Sequence, residues 1–194
     1  MTLRIIGGTL KRKKIQTVPG QHTRPTSDRV RESIFNIIAH RIANRHVLDL
    51  FSGTGAMGLE ALSRGASDCT FIDNSKAAIT VLKKNIQICN VQERSRAIHW
   101  DIGKSLACLK SSPSRFDLIF MDPPYHSDLI GPAMLHLHEI RVLDRDALLV
   151  IEHAQDEITS EQAHIYQSID HRRYGKTGIS ILTYKVSQDN RNKN

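Results

Sequence analysis

The chain has 194 residues, 40% of them hydrophobic, enough for one domain with a core of its own. No apolar run approaches the roughly 18 residues of a membrane span. The N-terminus lacks a signal-peptide pattern, and Cys69, Cys89 and Cys108 are odd in number and far apart, fitting neither a disulfide framework nor a zinc site. The expectation is a reduced, cytoplasmic protein without a metal and without a membrane contact. Charge is unevenly placed: Arg4, Lys11, Arg12, Lys13, Lys14, Arg24, Arg29 and Arg31 face only Asp28 within the first 31 residues, which accounts for the whole net charge of +7. A neutral domain with a basic N-terminal arm is the footprint of a polyanionic partner, although such a run can also be a solvated tail.

The arm, residues 1–23, contains strand-like LRII (3–6), a Gly7-Gly8 turn and TLKRKKI (9–15), which predicts a small β-hairpin extension that holds its basic residues in place. A loop and helix, 24–45, open the domain of 24–186. Arg24 must be extended because it precedes Pro25, and Thr26 or Ser27 can cap the helix. Val30, Ile34, Ile37 and Ile38 form its apolar face. Arg24 and Thr26, in the loop before that helix, are free to reach a ligand.

Val47 to Leu50 reads as a buried strand, followed by Gly53-Thr54-Gly55-Ala56-Met57-Gly58, a G-x-G-x-x-G that opens a helix. Glycines in that place let the backbone approach a nucleotide cofactor. A second strand, 69–73, ends at Asp73, near the distance expected of an acid that binds ribose hydroxyls. A helix over 75–89 and a strand over 95–100 lead to Asp101, which can bind an adenine amino group or cap the next segment. Strand 116–121, helix 128–140 and buried strand 147–153 follow. Segments 165–175 and 176–186 read as an antiparallel pair turning near Gly175, and 187–194 as a polar, disordered tail.

The densest chemistry lies in DLIFMDPPY, 117–125. A buried strand ends at Asp122, two prolines that cannot continue a ladder, and Tyr125. Asp122 and the Pro123 carbonyl are two acceptors held close by the stiff Pro123-Pro124 backbone. Such a pair can hold both hydrogens of a planar exocyclic amine, while Tyr125 stacks on the ring that carries it. That is what methylating the amino group of a base requires.

In this order and spacing VLDLFSGTGAMG, FIDNS, WDIGKS and DLIFMDPPY resemble the motifs of class I S-adenosylmethionine-dependent methyltransferases that act on amino groups. The arm, TRPTSDRVRESIFNII and YGKTGISILTY further resemble one family, the bacterial small-subunit rRNA guanine-N2 methyltransferases (the RsmD-like group). The match covers nearly the whole chain. It implies an α/β, Rossmann-like, seven-stranded mixed sheet of order 3-2-1-4-5-7-6 with the last strand antiparallel. It also implies S-adenosyl-L-methionine held by Asp49, Phe51, Gly53, Thr54, Gly55, Asp73, Asn74, Asp101 and Ile102, with Arg24 and Thr26 near its methionine end. Asp122, Pro123, Pro124 and Tyr125 become the amine clamp, and Arg4, Lys11, Arg12, Lys13 and Lys14 the RNA contacts. The implied partner is small-subunit rRNA, naked or within an assembled or assembling particle, and the protein is expected to be a monomer. Three rivals use fewer of these residues or lack a part. A DNA adenine or cytosine amino-methyltransferase would need a target-recognition domain. A NAD-dependent oxidoreductase leaves Asp122 to Tyr125 unused, and a non-enzymatic RNA-binding protein needs only the arm.

Overall fold

Short apolar runs, each rich in β-branched or aromatic residues, become the strands of a single sheet in the computed structural model, which describes residues 3–18, 28–157 and 164–185. In chain order the elements are α1 (Asp28–Ile37), β1 (His46–Leu50), α2 (Ala56–Ser63), β2 (Asp68–Asp73), α3 (Lys76–Cys89), β3 (Ser95–His99), β4 (Phe116–Met121), α4 (Ile130–Glu139), β5 (Leu143–Ala154), β6 (Tyr166–Tyr174) and β7 (Thr177–Tyr184). The seven strands lie in the order β3-β2-β1-β4-β5-β7-β6, as expected. Strands β1 to β5 run parallel, and β7 is antiparallel to both β5 and β6. The strand order reverses between β1 and β4, so the crevice beyond their C-terminal ends is the natural ligand site of such a sheet.

Alternation along each strand splits the core into two layers. Val47, Leu118, Phe120, Leu148 and Val150 face one side, packed with Ile34 and Phe35 of α1, Leu59 of α2 and Leu82 of α3. Leu48, Leu50, Ile119, Met121, Leu149 and Ile151 face the other side, with Met134 and Leu137 of α4. Asp122, which directly follows β4, and Glu152 of β5 therefore continue the first face beyond Phe120 and Val150.

Several elements differ from the sequence reading for definable reasons. In α1 the buried residues are Arg31, Ile34 and Phe35, while Val30 and Ile37 are only half-buried. The inward face is rotated because Arg31 has a buried carboxylate, Glu60, to meet. The proposed caps Thr26 and Ser27 lie outside the described residues, as does the tail from 186 onward. Helix α3 begins one residue later than 75, since Ser75 is its cap and accepts a hydrogen bond from Ala78 N. Helix α4 cannot include Asp128, whose φ is +53°. Strand β5 starts at Leu143, earlier than 147, because after the buried Leu143 the exposed Asp144-Arg145-Asp146 carries no apolar signature and a register irregularity separates this start from the buried half.

The N-terminal segment folds back as expected, but with one antiparallel bridge, Arg4 to Lys14, in place of an extended ladder. Ile5 N donates to Lys13 O, Arg12 N to Ile5 O and Ile15 N to Leu3 O across it, and the backbone groups nearer the turn are taken by the domain. Glu60 accepts from Ile6 N and Gly7 N, each at 2.7 Å, and Ser63 Oγ accepts from Leu10 N at 2.9 Å. With Leu3, Ile5 and Ile15 buried, the segment is docked on the domain.

Candidate active site

Strand β4 runs buried through Met121 and surfaces at Asp122, after which Pro123 is buried and Pro124 and Tyr125 are exposed. The Tyr125 hydroxyl donates to Glu152 Oε1 (3.3 Å) and shares a hydrogen bond with Thr177 Oγ1 (2.7 Å). Two tethers thus fix a ring that is still 40% exposed. Partial burial raises the phenol pKa, the Thr177 bond opposes this, and the negative charges of Glu152 and Asp122 add to the rise. The turn that follows is stapled to the end of β5: Glu157 accepts from His126 N (2.8 Å) and Ala154 N (2.6 Å).

Across the switch point, β1 delivers Asp49 and the glycine loop. Asp49 is buried, and its Oδ2 accepts from Gly58 N at 2.9 Å. Burial pushes this carboxyl up to about 8; the Gly58 bond opposes the rise and the Asp73 charge adds to it. Gly58 has to be glycine, because a Cβ there would lie 2.3 Å from the Phe71 ring and 2.5 Å from Cys69 Sγ. Gly53 is different: its φ is +52°, and a Cβ would meet nothing within 4 Å. That open space lies over the loop backbone at the C-terminal edge of the sheet. Phe51 (φ +59°) and Gly55 (φ +79°) complete the alternating turn. Asp73 fixes it by accepting from Gly53 N and from Ser75 N, both at 2.8 Å.

The third strand tip joins the same edge, since Trp100 N donates to the Asp73 carbonyl at 3.0 Å. Asp101 is exposed and accepts from Gly103 N (3.2 Å), with Lys104 Nζ 3.4 Å from its carboxylate, so here it caps a turn. Ile102 is buried, and Asn74 is exposed with its carbonyl 2.9 Å from His99 Nε2. The half-buried Phe51 packs against the same core layer as Ile102. A cleft lined by Ile34, Asp49, Met57, Phe120, Met121, Asp122, Val150 and Glu152 connects the two halves. It sets three carboxylates, from β1, β4 and β5, on one face of the sheet. The arrangement can accept hydrogen bonds from a planar donor-bearing group beside the glycine turn. Among the described residues, no group of His, Cys, Asp or Glu is placed to hold a metal ion.

With this geometry in view, comparison with known proteins is decisive for family. The profile of the family described as Conserved hypothetical protein 95 matches residues 3–183. A protein of Haemophilus influenzae called ribosomal RNA small subunit methyltransferase D is 36% identical over 157 residues, 79% of this chain and 80% of that one. The chain belongs to this family. A proposed rRNA methyltransferase of Bacillus subtilis is 33% identical over 179 residues, 92% of this chain and 97% of its own. A solved structure, a proposed methyltransferase from Escherichia coli, superposes with a TM-score of 0.81 at 28% identity, covering 96% of this chain and all of that one.

Within this family member, Asp49, Phe51, Gly53, Thr54, Gly55, Asp73, Asn74, Asp101 and Ile102 gather along one sheet edge with Asp122 to Tyr125. Arg24, Pro25 and Thr26 lie outside the described residues. Lys11, Arg12, Lys13 and Lys14 are exposed on the docked hairpin, whereas the exposed Arg4 guanidinium is paired with Asp28 at 3.2 Å. Sequence reading missed Glu152 and Thr177, which position Tyr125, and the fully buried Asn85. Asn85 Oδ1 accepts from Gln16 N (2.7 Å), while its Nδ2 donates to Gln16 O (3.0 Å) and to Thr54 O (2.9 Å). It ties the hairpin's exit to the glycine loop. Its one sequence signal is a polar residue on the otherwise apolar inward face of α3.

Proposed function

We propose that this protein transfers a methyl group from S-adenosyl-L-methionine to the exocyclic N2 amine of a guanine in small-subunit rRNA. One observation carries the reading: the glycine turn at Gly53, anchored by Asp73, lies at the same sheet edge as Asp122 and its two prolines, and Asp49, on the strand that leads into that turn, lines one cleft with Asp122. The relatives named as rRNA methyltransferases supply the substrate class.

On this reading Gly53, Thr54 and Gly55 line the methionine end with Phe51, and Asp49 meets its ammonium. The N-terminus of α2 faces the carboxylate, with Arg24 and Thr26 assigned to the same end. Asp73 takes the ribose hydroxyls, joined by Asn74, and Asp101 and Ile102 the adenine. The cofactor supplies an electrophilic methyl group. Asp122 and the Pro123 carbonyl accept the two amine hydrogens, Pro124 stiffens that turn, and Tyr125 stacks on the base. The amine attacks as a neutral nucleophile and sheds its extra proton to solvent afterwards, so the chain needs no strong base first. Asp122 then stabilises the positive charge that grows on nitrogen, an effect on the order of 1.5–3 kcal/mol per charged hydrogen bond. Holding the nitrogen in line supplies much of the remaining acceleration. Lys11, Arg12, Lys13, Lys14 and Arg4 bind phosphates without reading sequence. The substrate is read as small-subunit rRNA, naked or within an assembled or assembling particle, and the enzyme as a cytoplasmic monomer.

The cofactor half is tested by titrating S-adenosylhomocysteine into the protein at pH 7, in two buffers of different ionisation enthalpy. Asp49, with a pKa of about 8, holds its proton at that pH in the free protein. An ammonium placed beside it lowers that pKa, so binding is expected to release a proton and the measured heats to differ between buffers. Asp49→Asn abolishes the difference. Absence of binding overturns the cofactor assignment, and an affinity unchanged in Asp49→Asn removes Asp49 from the ammonium.

A further inference from the structure

The amine clamp by itself accepts any planar exocyclic amine, so something beside it must choose the base. We propose that Glu152 is the specificity residue, reading the ring N1–H of guanine next to the amine held by Asp122. This rests on the function proposed above.

Glu152 interrupts the apolar run ALLVI of β5 with a carboxylate, at the point where the strand reaches the crevice. Phe120 pairs with Val150 and Met121 with Ile151 across β4 and β5. The next position in each segment is Asp122 on one and Glu152 on the other, so the two carboxylates sit side by side on one face. Both line the same cleft, and both act on the Tyr125 hydroxyl. A base stacked on Tyr125 therefore presents its Watson–Crick edge to both carboxylates together.

On the Watson–Crick edge every amino-bearing base has a ring nitrogen beside its exocyclic amine. In guanine that nitrogen, N1, carries a hydrogen, and the lone pair of N3 lies on the other side of the amine; in adenine N1 and in cytosine N3 the Watson–Crick nitrogen carries a lone pair. An ionised carboxylate is acceptor-only. Beside the clamp it completes a row of donors from guanine and repels the lone pair of the other two bases, an attractive and a repulsive element in one side chain. Such a site discriminates strongly, because the wrong base, once stacked over the half-buried Glu152, sets a lone pair against its carboxylate and leaves it unpaired. Holding the Tyr125 hydroxyl is a lesser role for Glu152, and glutamine would keep it, since its carbonyl still accepts.

The test uses the full-length protein and an rRNA fragment carrying the target guanosine, against the same fragment with 2-aminopurine at that position. 2-Aminopurine keeps the N2 amine but has a lone pair at N1. Wild type is expected to prefer guanosine in kcat/KM by on the order of 10³-fold. Glu152→Gln, which can offer an N–H to that lone pair, is expected to reduce the preference by about 10²-fold. Glu152→Ala, a second variant, loses more rate on guanosine than on 2-aminopurine, so the preference falls there too. A preference unchanged in both variants overturns the proposal. Absence of transfer to guanosine by wild type is a different result and overturns the function beneath it.

Discussion

Asp122→Ala is expected to lower methyl transfer by about 10³-fold while leaving S-adenosylhomocysteine affinity within about 3-fold of wild type. The split follows from position. Asp122 stands one residue beyond β4 on the crevice side, whereas the cradle at Gly53 is held by Asp73, across β1. Removing the Asp122 carboxylate deletes an acceptor that meets the amine most strongly when charge develops on it, and such a loss falls on turnover. Asp122→Asn keeps one neutral acceptor and should lie between the two. Single-turnover transfer and an equilibrium titration on the same preparations check this. Cofactor affinity lost together with turnover would move Asp122 out of the clamp and into the cradle.

The second large effect is on stability. Glu60, wholly buried on α2, accepts from Ile6 N, Gly7 N and Arg64 Nε, each at 2.7 Å, and lies 4.0 Å from Arg31 Nε. Arg31 is itself buried, donating to the Arg4 carbonyl at 2.6 Å and to Asp28 at 3.0 Å, and burial lowers its pKa. Glu60→Ala removes the carboxylate and leaves a buried guanidinium poorly paired, with two backbone N–H groups unsatisfied. The expected cost is about 3–5 kcal/mol in urea unfolding. Glu60→Gln, retaining one acceptor oxygen, should cost less. Hydrogen exchange should also quicken at Ile6, Gly7 and Ile15 before it does in the central strands, because the latch of the N-terminal segment is gone. A midpoint close to wild type for the alanine variant would show that the network contributes nothing net.

These two residues mark where the sequence is legible and where it is not. Strands β1, β2 and β4 are short, mostly apolar runs with turn chemistry after them, and their order follows from the family resemblance. Asp122, Pro123, Pro124 and Tyr125 are adjacent in the chain, and the glycines of the cradle have fixed spacing, so both announce themselves locally. Glu60, Asn85 and Thr177 do not. Their partners are 54, 69 and 52 residues away, a separation at which no periodicity or spacing in one sequence carries a signal. The rotated face of α1 has the same origin, since Arg31 reads as a surface cation until Glu60 is known to lie beneath it. Glu152 was within reach, as one charge ending an apolar run, but its significance depends on the neighbour that β4 supplies. The resemblance pointed to guanine; the residues of the clamp alone could not.

The central claim is transfer to a guanine amine of rRNA, and one measurement addresses it directly. S-Adenosylmethionine labelled in its methyl group is offered separately to unmethylated small ribosomal subunits, to their naked rRNA and to duplex DNA, and each product is digested to nucleosides. The label is expected in N2-methylguanosine from the subunits or their rRNA, with none in DNA. Label in methyladenine or methylcytosine, or in DNA, would contradict it.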